Sequence, residues 1–160
     1  LPCKNSFNEL NNSLKVLQNY KPAKGTAGAD VMHQIAESIN RRAMIIIISD
    51  LLDDQPEIIK AIAHFRKNLH DVIVCHILDP IELSLDLKRG VEFEDLETGE
   101  RMVADPRSMA KEYKDLMGQF IDDYRKACSE MKVDYRLVKT DESVDTFVRA
   151  YLEERKRLSR

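Results

Sequence analysis

Apolar residues recur along this chain with two different periods, and the switches between them mark the elements. Phe7, Leu10, Leu14 and Leu17 fall at helical spacing. Ser6 and Glu9 can satisfy each other's free backbone amides as a capping box, so a helix should begin there and stop before Lys21-Pro22. After the loop around Gly25, a second helical stripe comprises Val31, Met32, Ile35, Ala36 and Ile39. Met44-Ile-Ile-Ile-Ile48 shows no alternation, as expected of a strand covered on both faces by helices. Asp54-Gln-Pro-Glu57 starts a third helix, whose buried face should comprise Ile58, Ile59, Ile62, Phe65 and Leu69. The run Asp71-Val-Ile-Val-Cys-His-Ile-Leu78 repeats the strand pattern and ends at Asp79-Pro80, completing a βαβ unit.

Residues 91–104 then alternate apolar and polar around Glu97-Thr98-Gly99, which predicts an exposed hairpin inserted outside the main sheet. Asp105-Pro106 opens a long helix with Met109, Tyr113, Met117, Phe120, Tyr124, Ala127 and Met131 on one stripe. Residues 133–138 form a third strand, and Val144, Phe147, Val148, Tyr151 and Leu152 mark a last helix. The fold class is therefore α/β: a three-layer, Rossmann-like partial parallel sheet flanked by helices, with an inserted β-hairpin. Three parallel strands leave the opening helices little to pack on. The expectation is a single domain over residues 1–160 that lacks amino-terminal strands, so that an unpaired edge along the 44–48 strand invites self-association.

At 160 residues, 43% apolar and 33% charged, the chain has the size and composition of one soluble globular domain. Its net charge of -3 gives no electrostatic reason to bind nucleic acid. Residues 43–48 are the longest strongly apolar run, far short of the roughly 20 residues that cross a bilayer, so no membrane insertion is expected. The three cysteines, Cys3, Cys75 and Cys128, are scattered and form no disulfide framework or zinc knuckle, which suggests a reducing, cytoplasmic compartment. The chain opens on Leu1 with no signal-peptide pattern, as a fragment of a longer sequence would.

In open α/β sheets ligands collect beyond the carboxyl ends of the strands. Those ends carry Ser49-Asp50 with Asp53 and Asp54 behind, then Asp79, then Thr140-Asp141. Oxygen donors on one edge suit a hard cation such as magnesium. Asp54 and Asp141 also read as helix caps, whereas Asp50 comes too early to cap. His33 and His64 within helices, His70 at a helix end and His76 within a strand read as structural imidazoles, and Cys75 and Cys128 as small core groups. The Lys24-Gly25-Thr26 loop has one glycine and follows a helix, so it is not a P-loop.

The stretch Arg41-Arg-Ala-Met-Ile-Ile-Ile-Ile-Ser49-Asp50-Leu-Leu-Asp53-Asp54, then His70-Asp-Val-Ile-Val-Cys-His-Ile-Leu-Asp79-Pro80, then Phe93-Glu-Asp-Leu-Glu-Thr-Gly-Glu100, resembles the carboxyl-terminal part of the domain of unknown function 58 family. That resemblance implies a von Willebrand factor A-like fold with its first three strands before Leu1. It also implies a metal-ion-dependent adhesion site in which Thr26 and Asp50 are metal ligands. The D-x-S-x-S loop of such a site does not occur in this chain, and Ala27 stands where an acid often follows the threonine. The resemblance further implies a protein partner, a MoxR-type AAA+ ATPase.

The leading expectation is a non-enzymatic protein-interaction or adaptor module with a partial adhesion site and no catalytic residues. Magnesium would serve the full-length protein, and none is expected bound to this chain. The alternative is a magnesium-dependent hydrolase or phosphoryl-transfer enzyme using Asp50, Asp53 and Asp79. A scaffold domain that never binds metal is the third reading.

Overall fold

A computed structural model describes residues 7–20, 28–85, 91–94, 101–104 and 106–158. Three strands, β1 (Met44–Ser49), β2 (Asp71–Leu78) and β5 (Asp134–Lys139), form one parallel sheet in the order β1-β2-β5. Met44 pairs with Asp71 and Ser49 with His76, while Ile73 pairs with Asp134 and Leu78 with Lys139. The expected parallel arrangement holds, and β2 is the central strand, with six of its eight residues buried. Among the described residues β1 has β2 as its one strand partner, so its other edge is open.

The remaining strands, β3 (Val91–Glu94) and β4 (Arg101–Ala104), pair antiparallel in a separate two-stranded sheet. The hairpin therefore lies off the main sheet, as its alternation predicted, and the turn at Glu97-Thr98-Gly99 lies outside the described residues.

Helices α2 (Gly28–Ser38), α3 (Gln55–Lys67) and α5 (Pro106–Glu130) cover one face of the main sheet. There the even-numbered residues of β2, Val72 and Val74, pack with Ala36 of α2, Ile58, Ile62 and Phe65 of α3, and Tyr124 and Cys128 of α5. Alternation along a strand puts Ile73 and Cys75 on the opposite face, where they pack with Val138 and with Phe147 and Tyr151 of α6 (Val144–Leu158). Each buried branched or aromatic side chain contributes about 1.5–3 kcal/mol, so the first cluster dominates stability.

Local signals place the helix ends. Asp54 caps α3 by accepting from the Glu57 amide at 3.1 Å, with Pro56 in the first turn. The stripe of α3 buries Ile58, Ala61, Ile62 and Phe65, but Leu69 lies past the helix end. It adopts φ +63°, and is 73% exposed rather than part of the buried face. A short helix, α4 (Pro80–Ser84), follows β2 where the pattern marks only a stop. Ser143, not Asp141, immediately precedes α6. Helix α1 (Phe7–Asn19) spans the expected residues yet buries none, and its stripe of Phe7, Leu10, Leu14 and Leu17 is exposed. Among the described residues no helix is long and apolar enough to cross a membrane.

Candidate functional site

At the carboxyl end of β1 the chain leaves the sheet and turns into α3 through residues 50–54. Leu51 makes that turn with φ +56°, a left-handed conformation that costs a leucine about 1–2 kcal/mol. Two contacts hold it there: its side chain is buried, and its carbonyl accepts a hydrogen bond from the Tyr124 hydroxyl at 3.2 Å. The Ser49 hydroxyl accepts from the Leu51 amide at 3.0 Å, and Asp50 Oδ1 accepts from the Leu52 amide at 3.3 Å and from the Ser49 hydroxyl at 3.4 Å. The Asp50 side chain is thereby fixed but exposed, and Oδ2 has no hydrogen-bond partner among the described residues.

Beneath this turn lies His76, fully buried and opposite Ser49 in the register. Its Nδ1 is 2.7 Å from the Tyr135 hydroxyl, and its ring meets Phe120, Tyr124 and Tyr135 edge-on. Burial holds its pKa below the ordinary histidine value, while the Asp50 backbone, the Asp50 carboxylate and Glu82 pull the other way. His76 Nε2 has no hydrogen bond of good geometry among the described residues, so the pull of the Asp50 backbone is that of a nearby dipole added to the field of the Asp50 carboxylate. Desolvation pushes the Tyr135 phenol up to about 12. This imidazole floor under Asp50 was legible only as a histidine inside an apolar strand.

The other strand-end acids divide by role. Asp53 Oδ1 accepts from the Asp54 amide at 2.8 Å. Its Oδ2 lies 3.0 Å from where a Cβ on Gly28 would stand, so the first residue of α2 comes against this carboxylate because it has no side chain. Asp79 is committed elsewhere: it caps α4 in a full capping box, and its Oδ2 accepts from the Thr140 hydroxyl at 2.6 Å. The Thr140 bond, followed by that from the Ile81 amide, holds its carboxyl below the usual aspartate value. A hydrolytic centre built on Asp50, Asp53 and Asp79 would have to break those bonds.

Thr26, the other expected metal ligand, lies outside the described residues. Gly28, two residues further on, stands against Asp53. Hard oxygen donors of this kind fit magnesium chemically. Among the described residues, however, no three His, Cys, Asp or Glu side chains are gathered as a metal set.

The second feature of the site is apolar. Between β1 and helix α6 lies a cleft of about 840 Å³, lined by Ile46, Ile48, Cys75, Val144, Phe147 and Val148 among others, with Arg155 and Lys156 also in its lining. Arg155 donates to Asp71 at 2.7 Å and to the Tyr151 hydroxyl at 2.9 Å, and Arg136 bonds Glu154 at 2.8 Å, so α6 is tied to the sheet at its carboxyl end. Near β1 it leaves Met44, Ile46 and Ile48 exposed.

Among known proteins, the model of a family described as protein of unknown function DUF58 matches residues 1–118 of this chain. Neither the curated proteins nor the solved structures include one that matches it.

Proposed function

Since the chain belongs to the DUF58 family of proteins of unknown function, its role has to be argued from its own surface, and we propose that it is a non-enzymatic protein-interaction module. The open apolar cleft carries this reading. Exposed apolar patches of contiguous large side chains mark binding sites for other proteins, and here Met44, Ile46, Ile48, Val144 and Val148 lie along one groove. The outer edge of β1, which has no strand partner among the described residues, runs beside them and offers its backbone groups to an incoming segment.

In this proposal the strand-end edge adds a partial metal-ion-dependent adhesion site of von Willebrand factor A type. Asp50 and Thr26 hold a magnesium ion, and a carboxylate from the partner fills a position that water otherwise takes. Two protein oxygens among about six positions make the ion weakly held until the partner arrives. The exposed, oriented carboxylate of Asp50 supports the first ligand. Gly28, the first residue of α2, stands against Asp53 near that edge. The proposed partner is a MoxR-type AAA+ ATPase, which supplies energy that the module lacks, in the cytoplasm.

Binding of the purified chain to a purified MoxR-type ATPase, measured by biolayer interferometry with and without magnesium, tests this. The expected result is binding that weakens when magnesium is removed or with Asp50→Ala, and is lost with Ile46→Asp. Absence of binding, or binding that neither substitution changes, would overturn the proposal.

A further inference from the structure

Away from the strand-end edge, helices α2 and α3 pack side by side, and their seam is closed at both ends by close contacts. Gly28 meets Asp53 and Ile58 at one end, and Asn68 Nδ2 donates to the Ala36 carbonyl at 3.0 Å at the other. Between these contacts His33 of α2 and His64 of α3 bring their Nδ1 atoms to 3.0 Å, with ring centroids 5.3 Å apart and planes at 42°. Both imidazoles are half-buried, so they keep one side toward solvent. A neutral pair in this geometry shares one proton: one Nδ1 donates and the other offers its lone pair.

We propose that this pair is a binding site for a divalent transition metal of the zinc class, with His33 Nδ1 and His64 Nδ1 as its two protein ligands. Imidazole nitrogens select zinc, copper or nickel over magnesium and calcium, so the site differs in chemistry from the carboxylate edge and does not rest on the function proposed for it. Zinc bonds of about 2.0–2.1 Å at a tetrahedral angle put two nitrogens about 3.3–3.4 Å apart. The rings need separate by only a few tenths of an ångström, and the donor ring's Nδ1 proton moves to its own Nε2, so that both Nδ1 lone pairs face the metal while both imidazoles stay neutral. No third His, Cys, Asp or Glu is gathered with them among the described residues, so water fills the other positions and the site is open. Asp30 and Glu37, exposed on α2 a turn to either side of His33, are the acids available to hydrogen-bond that water. Because the ligands come from two helices, the bound metal clamps α2 to α3 and favours the folded state.

Calorimetric titration of the purified chain with zinc chloride, with magnesium chloride in parallel, reads the site directly. Zinc should saturate at one ion per chain. His33→Gln and His64→Gln should each weaken binding about tenfold or more while circular dichroism shows that they remain folded. Nitrogen-15 spectra of the wild-type imidazoles provide a readout independent of the variants: zinc should move the Nδ1 signals of His33 and His64 and leave those of His70 and His76 in place. Absence of zinc binding, binding unchanged in both variants, or shifts confined to other histidines would overturn the proposal.

Discussion

The two faces of the main sheet are built from the same strands and differ in what lies on them. Under α2, α3 and α5, Val72, Val74, Tyr124 and Cys128 have at most 1% of their surface exposed. On the α6 face, Ile46 is 55% and Ile48 71% exposed, although they belong to a run as apolar as any in the chain. Three helices close the first face into a core with little freedom. Among the described residues one helix, α6, packs on the second through Phe147 and Tyr151 and is tied at its carboxyl end by Arg155 and Arg136, leaving that face open along β1. Identical strand chemistry thus gives stability on one face and an accessible apolar surface on the other.

Substitution on each face should separate these roles. Phe65→Ala, in the closed face, should cost about 3–5 kcal/mol in urea denaturation, whereas Ile46→Ala should cost under about 1 kcal/mol. Equal losses would mean that both faces carry the core.

Alkaline pH should sharpen the contrast, because the closed face buries a thiol. Desolvation pushes Cys128 up to about 12 from 9.0. A group whose pKa is raised on folding contributes stability that is complete below the unfolded pKa and is lost as pH rises toward the folded one. Between pH 9 and about 12 the wild type should therefore lose up to about 1.4 kcal/mol per pH unit more than Cys128→Ala. Parallel curves of urea midpoint against pH would refute this.

Arg155→Ala, which unties α6 from Asp71, should cost about 1 kcal/mol or less, since both partners are about a third exposed and screened. High salt should shrink even that difference. Ile48→Lys should leave the urea midpoint within about 0.5 kcal/mol and reduce binding of the hydrophobic dye ANS. Undiminished dye binding would place the accessible apolar surface elsewhere.

The candidate site was legible in proportion to how local its signals are. Asp50 could be assigned to the carboxyl edge of the sheet because a strand's end is readable from its own residues, and Asp54 could be assigned as a cap for the same reason. Asp79 looked equally available, yet the 2.6 Å bond from Thr140, 61 residues away, commits it to structure. The approach of Gly28 to Asp53 and the pairing of His33 with His64 across 31 residues left no trace in any single segment.

Periodicity, the flanking turn signals and the βαβ order together predicted three parallel strands, an outlying hairpin and helices between, and the described residues form them. The exception is β1, whose pattern predicted cover on both faces and which is exposed on one. Only the tertiary structure decided which apolar stripes are buried. The stripe of α1 is as regular as that of α3, but α3 meets the sheet and α5 while α1 buries nothing. Burial is a property of two surfaces in contact, whereas a sequence pattern describes one surface at a time.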